Sequence, residues 1–179
     1  MRIVAGELRG RRIVAPQGSI TRPTTDKARQ ATFNALGSLN VILGARVVDL
    51  FAGSGALGIE ALSRGAAHCT FIERDRLALD ALRANIEALD LRERSGVIRG
   101  DGLMYLGTIP DATLVLADPP YEFAKWPDLL NCSAASLVVA ESDRELGGEI
   151  AACSDWVVIR SKRYGRAYVT FIQRIPYKP

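Results

Sequence analysis

One histidine, His68, occurs in 179 residues. A Ser-His-Asp triad or a multi-histidine zinc site therefore has almost nothing to be built from. His68 falls in an expected strand, where ordinary packing is the better reading. Cysteine is scarce as well: Cys69, Cys132 and Cys153 are odd in number and scattered. They suit neither a disulfide framework nor a metal-ligand pair, and read as reduced packing residues of a cytoplasmic protein with no metal. Uninterrupted apolar runs of bilayer-spanning length are missing, and Met1-Arg2-Ile3-Val4-Ala5-Gly6-Glu7 is no signal peptide. Neither a membrane partner nor a large apolar interface is indicated, so the chain is read as a monomer. Acid, finally, is absent where base is dense. Residues 160–179 hold six Arg/Lys and no acid, and residues 1–29 hold seven against two. The middle carries ten basic and eighteen acidic residues. Two basic ends around an acidic body form a footprint that attracts phosphate, as nucleic-acid binders do. Solvated solubility charge is the plainer alternative.

What is present is an ordinary globular balance, 48% apolar and 24% charged, in a length that suits one domain with a small appendage. Residues 2–15 read as a hairpin, with Arg2–Ala5 and Arg12–Ala15 as arms and Gly6 and Gly10 in the bend. Residues 16–25 read as loop. A helix is expected from Asp26 to Leu39, capped by Thr25 or Asp26 and packed through Ala28, Ala31, Phe33, Ala35, Leu36 and Leu39. From residue 46 strands and helices alternate. Strands are expected at 46–50, 69–73, 96–99, 113–117, 137–141, 156–160 and 167–173. Helices are expected at 57–64 and 76–89, with shorter ones near Leu103 and at 126–131. This pattern specifies an α/β fold with a mostly parallel seven-stranded sheet, helices on both faces and an antiparallel C-terminal edge.

The most informative stretch is Asp118-Pro119-Pro120-Tyr121, directly after the apolar run Thr113–Ala117. Open α/β sheets place ligands at such strand ends. Consecutive prolines fix φ, donate no N–H and restrain the residue before each. The result is a stiff platform with a carboxylate, free carbonyls and an aromatic face. It suits a planar group bearing an amine. A Pro-rich turn is the plain alternative.

Asp49-Leu-Phe51-Ala-Gly53-Ser54-Gly55-Ala-Leu-Gly58 joins the first core strand to its helix. Gly53, Gly55 and Gly58 match G-x-G-x-x-G, which permits several adenosine-bearing cofactors. Asp49 discriminates between them. A carboxylate is a poor neighbour for pyrophosphate and a good one for a cation, and S-adenosylmethionine carries an ammonium and a sulfonium but no phosphate. A loop cap is the alternative for Asp49. Glu73 ends the second strand, where an acid can accept both ribose hydroxyls. Asp75 is better explained as a helix N-cap. Asp101, between Gly100 and Gly102, can accept from an adenine amine if the glycines allow close approach, or can cap a turn. Four acids, Asp49, Glu73, Asp101 and Asp118, close four strands of one rim.

The pair of a DxFAGSGALG loop and a later DPPY resembles Rossmann-like S-adenosylmethionine-dependent amino-group methyltransferases. Arg2-Ile-Val-Ala-Gly6, Leu8-Arg9-Gly10-Arg11, Arg22-Pro23-Thr24-Thr25-Asp26 with Arg29 and Phe33-Asn34, the continuation Gly55–Gly65, and Lys162…Tyr164-Gly165…Tyr168 resemble the RsmD family over nearly the whole chain. The chain departs from it at Gln30, where the family usually has an acid, and in a short stretch between Tyr121 and Leu137. The resemblance implies a bacterial 16S ribosomal RNA guanine-N2 methyltransferase acting within the 30S particle. It implies a basic extension at 1–20 and an S-adenosylmethionine-dependent domain at 21–179. Asp118, Pro119, Pro120 and Tyr121 become the catalytic candidates. Asp49, Phe51, Gly53, Ser54, Gly55, Gly58, Glu73, Arg74, Asp101 and Gly102 become the cofactor candidates. Arg9, Arg11, Arg12, Arg22, Lys162, Arg163 and Arg166 are candidates for phosphate contact. Methylation of adenine N6 or another amine, a nicotinamide oxidoreductase and a non-catalytic RNA-binding module remain rival readings.

Overall fold

A computed structural model describes residues 1–16 and 26–176. Its strands are β1 (Arg46–Leu50), β2 (His68–Glu73), β3 (Ser95–Arg99), β4 (Leu114–Ala117), β5 (Leu137–Ser142), β6 (Trp156–Tyr164) and β7 (Ala167–Arg174). They form one sheet in the order β3-β2-β1-β4-β5-β7-β6. The first five are mutually parallel, and β7 runs antiparallel to both β5 and β6. Short wholly buried runs such as Leu114-Val115-Leu116-Ala117 are what a parallel sheet covered on both faces requires.

Helices α1 (Asp26–Ser38), α2 (Ala56–Ser63) and α3 (Arg76–Ala88) cover one face, while α4 (Gly102–Leu106), α5 (Trp126–Cys132) and α6 (Gly147–Ala151) cover the other. Strand alternation divides the core between them. Val47, Phe71 and Leu116 point to the cluster of Phe33, Leu36, Ile59 and Leu82. Val48, Ile72 and Val115 point to that of Leu106, Trp126, Leu129 and Ile150. The chain leaves β1 towards β2 and β3, then returns to place β4 on the other flank of β1. This reversal opens a crevice at the C-terminal ends of β1 and β4.

The expected elements lie within one or two residues of the observed ones, with five differences, of which an added 3₁₀ turn at Arg92–Arg94 is the smallest. Helix α6 is additional. It begins on Gly147 and Gly148, poor helix formers, and is held by the burial of Leu146 and Ile150. Strand β6 continues to Tyr164 because β7 pairs with it that far. Leu39, expected to pack, lies beyond the end of α1 and is 45% exposed. The N-terminal hairpin is reduced to one bridge, Arg2 with Arg12. Its first arm cannot continue the ladder, because the N–H groups of Val4 and Ala5 donate instead to Glu60 of α2. Arg22, the Thr25 cap, the Asp26 side chain and the expected boundary at residue 20 lie outside the description. Among the described residues no helix is long and apolar enough to cross a membrane, and no acid, His or Cys cluster could hold a metal.

Candidate active site at the glycine loop and the Pro-rich rim

Register assembles the rim. Leu50 pairs with Ile72 on one side and Ala117 on the other, so Asp49, Glu73 and Asp118 arrive on three adjacent strands. Asp49 lies one residue inside β1, fully buried, and its Oδ2 accepts the Gly58 N–H at 2.8 Å. That amide belongs to the first turn of α2, whose cap Gly55 supplies no side-chain bond. A protein carboxylate therefore occupies the helix N-terminus, the place a pyrophosphate takes in dinucleotide folds. Burial above all, then the neighbouring charges of Asp118 and Glu73, push the Asp49 carboxyl well above its ordinary value of 3.8, against the Gly58 bond. Three carboxyls thus crowd a dry place where their charge is disfavoured, and a cation bound beside them would relieve that cost.

The glycine loop is held on both sides. The Phe51 and Ala52 N–H groups donate to Ile72 O, and the Gly53 N–H donates to Glu73 Oε2 at 2.8 Å. Gly55 has φ +82°, and a Cβ there would stand 2.4 Å from Leu82 Cδ1, so only glycine fits. Gly53 differs: a Cβ there would meet open space, leaving room beside the loop. Phe51 adopts φ +66°, a strained position for an aromatic and one that clusters at ligand sites. Its ring meets Phe123 edge-on at 5.3 Å, and Phe123 meets Trp126 at 4.9 Å. These two aromatics, unremarked in the sequence, tie the glycine loop to the Pro-rich segment. Their signal was an apolar spacing just past Tyr121.

Two of the expected cofactor residues, Asp101 and Glu73, also hold backbone in place. Asp101 is an N-cap: its Oδ1 accepts from the Leu103 and Met104 N–H groups, and it turns towards α4. The room left by Gly100 and Gly102 is filled by protein, since a Cβ would stand 2.1 Å from Tyr105 Cε2 and 3.1 Å from Leu50. Glu73 Oε1 accepts from the N–H groups of Arg74 and Asp75. Asp75 caps α3 through the Ala78 N–H, as its position indicated.

The Pro-rich segment leaves β4 as irregular backbone. Asp118 is half-buried, Pro119 buried and Pro120 exposed, and Pro120 O accepts the Phe123 N–H at 2.9 Å. Tyr121, 42% exposed, presents its ring to solvent.

The basic candidates divide into two groups. Arg9, Arg11 and Arg12 are exposed on the N-terminal arm, and Arg11 Nη2 donates to Ala88 O at 2.7 Å. Lys162, Arg163 and Arg166 are exposed where β6 turns into β7. Lys162 Nζ lies 5.6 Å from the Tyr164 ring and the Arg163 guanidinium 5.6 Å from that of Tyr168. Between arm and body lies a buried cluster that sequence reading missed. Glu60 accepts from Val4, Ala5 and Arg64, and its Oε2 is 3.8 Å from Arg29 Nε. Its signal was an acid inside the otherwise apolar helix Ala56–Ser63.

The raised Asp49 carboxyl has a pH consequence. Because folding raises it, its contribution to stability is complete below about pH 3.8 and is lost as pH rises through the folded value. Asp49→Asn keeps an oxygen for the Gly58 N–H without the buried charge. The cofactor-free variant is expected to gain stability relative to wild type as pH rises from 4 to 8. Urea midpoints across that range test this, and parallel curves would refute it.

A family model described as Conserved hypothetical protein 95 matches residues 1–173. The putative rRNA methyltransferase YlbH of Bacillus subtilis is 37% identical, over 97% of this chain and 99% of the relative. Ribosomal RNA small subunit methyltransferase D of Escherichia coli K12 is 34% identical, over 97% and 90%. A solved structure titled putative methyltransferase yhhF from Escherichia coli superposes with a TM-score of 0.81, at 33% identity over 99% of both chains. With the family model and these relatives covering it nearly end to end, the chain belongs to the RsmD family of Rossmann-like methyltransferases.

Proposed function

We propose that the chain transfers a methyl group from S-adenosylmethionine to the exocyclic N2 amine of a guanine in 16S ribosomal RNA, within the small-subunit particle. The observation that carries this reading is the Asp49 carboxylate on the Gly58 N–H, with Asp118 and Glu73 close enough to perturb it. It disfavours a phosphate-bearing cofactor and favours a cationic one. The relatives' names supply the ribosomal RNA substrate class.

Asp49, Phe51, Gly53, Ser54, Gly55, Gly58, Glu73 and Arg74 would hold the cofactor, with Asp101 and Gly102 at the far side. When bound, it supplies an electrophilic methyl on a sulfonium leaving group. Asp118 and the Pro119 carbonyl accept the two N–H bonds of the amine, which localises its delocalised lone pair and aims it. The new N–C bond forms as the S–C bond breaks, so the protein's main work is alignment. The methylated nitrogen then loses a proton, to Asp118 or to water. Tyr121 stacks on the base, a contact worth about 1–3 kcal/mol in single-strand recognition. A paired guanine must be splayed out to reach it. Arg9, Arg11, Arg12, Arg22, Lys162, Arg163 and Arg166 hold phosphates around this centre.

The test supplies methyl-labelled S-adenosylmethionine with unmodified 30S particles or naked 16S RNA and maps the label. One N2-methylguanine in the particle is expected. Label on adenine N6 would transfer the reading to that amine, and no label on either RNA would overturn it.

A further inference from the structure

Asn85 sits in the interior of α3, 2% exposed, where asparagine is a weak helix former and an unpaired amide would be costly. Its bonds explain its presence, and they run to two separate segments. Its Oδ1 accepts the Val14 N–H at 2.8 Å. Its Nδ2 donates to Val14 O at 2.9 Å and to Ser54 O at 2.9 Å. Val14 follows the exposed Arg11 and Arg12 of the basic arm, and Ser54 lies between Gly53 and Gly55 of the glycine loop.

The neighbouring turns of α3 repeat the arrangement. Leu82, three residues earlier, packs where a Cβ on Gly55 would be. Ala88, three residues later, accepts from Arg11 through its carbonyl. One face of α3 therefore grips the glycine loop, the backbone of the arm and a side chain of the arm in succession. A single amide group shares both donors between loop and arm, so a displacement of either changes the bond to the other.

We propose that Asn85 couples the basic arm to the glycine loop, so that RNA and cofactor bind with positive cooperativity through it. This rests on the proposed function, since it takes the arm to contact RNA and the loop to contact the cofactor. RNA held by the arm fixes Val14, Val14 fixes Asn85, and Asn85 fixes the Ser54 carbonyl. The ordering of the loop is then already complete when the cofactor arrives. Reciprocity requires the cofactor to tighten RNA by the same factor. Asn85 is a positioning residue and touches neither ligand.

The experiment is equilibrium dialysis of radiolabelled S-adenosylhomocysteine, an unreactive cofactor product, with and without unmodified 30S particles. Wild type is expected to bind it about fivefold or more tightly when particles are present, the lower end of ordinary coupling. Asn85→Ala is expected to bring that ratio to near one. Val14→Pro removes the arm's N–H but leaves the Asn85 bond to Ser54. It is expected to lower the ratio while keeping wild-type affinity in the absence of particles. A merely structural Asn85 would lower the unfolding midpoint of Asn85→Ala and leave the ratio intact, and that result overturns the proposal. So does a wild-type ratio of one when both ligands bind. Failure of wild type to bind the labelled compound at all, or to methylate either RNA, overturns the functional reading beneath it instead.

Discussion

Asp118→Ala is expected to slow methyl transfer on the order of 10²–10⁴-fold, the range for a side chain that handles a reacting proton-bearing group. The reason lies in the backbone around it. Pro119 and Pro120 have no N–H, so those two positions present acceptors only, and Asp118 supplies the carboxylate just past the end of β4. Without the carboxylate, the Pro119 carbonyl alone faces two amine N–H bonds, and the lone pair is neither localised nor aimed. Asp118→Asn should fare little better, because its amide can turn a donor towards the amine. Cofactor binding should weaken only a few-fold, since Asp49, Glu73 and the glycine loop stay in place. Single-turnover methylation of 30S particles, beside dialysis of S-adenosylhomocysteine, separates the two effects. A wild-type rate in Asp118→Ala would remove the residue from the chemistry.

Glu60→Ala should have the largest effect on stability, about 3–5 kcal/mol, the cost of breaking a buried pair by removing one partner. Glu60 is 0% exposed and Arg29 1% exposed. Arg29 also donates to Arg2 O and meets Met1 Sδ, and Arg64 Nε pairs with Glu60 as well, at 2.7 Å. The substitution further strands the N–H groups of Val4 and Ala5, which hold the arm to α2. Glu60→Gln keeps an acceptor and should cost less. Urea unfolding measures both, and a loss below about 1 kcal/mol for Glu60→Ala would show that the arm has other means of holding on.

These two residues mark where the sequence was legible. Asp118 could be singled out because its signal is local: it follows a strand directly, and two prolines and an aromatic come next. Strands β4 and β5 were legible for a similar reason, each holding a short apolar run, Leu114–Ala117 and Leu137–Ala140. Glu60 and Arg29 could not be paired, because 31 residues separate them and their contact depends on how α1 and α2 pack. Arg29 was legible as a basic-end charge and as part of the family resemblance, with no sign of a buried partner. Asp101 looked like Asp118 in kind and position. Only the course of the chain after Arg99, turning at once into α4, directs its carboxylate to the helix N–H groups. Asn85 gave no sign, because a buried amide in a helix declares itself only through its partners.

The interior position of β7 also constrains how the molecule is made. β7 is synthesised after β6, yet it lies between β6 and β5. While residues 167–174 are still unavailable, β6 has no sheet to join, and the apolar strand Leu137–Ser142 presents a bare edge. Such an edge is a template for pairing with other chains. A nascent or clipped polypeptide that stops before Ala167 would therefore carry the whole glycine loop and Pro-rich rim yet remain prone to aggregate. The arrival of β7 seals that edge, and six residue pairs with β5 form with it.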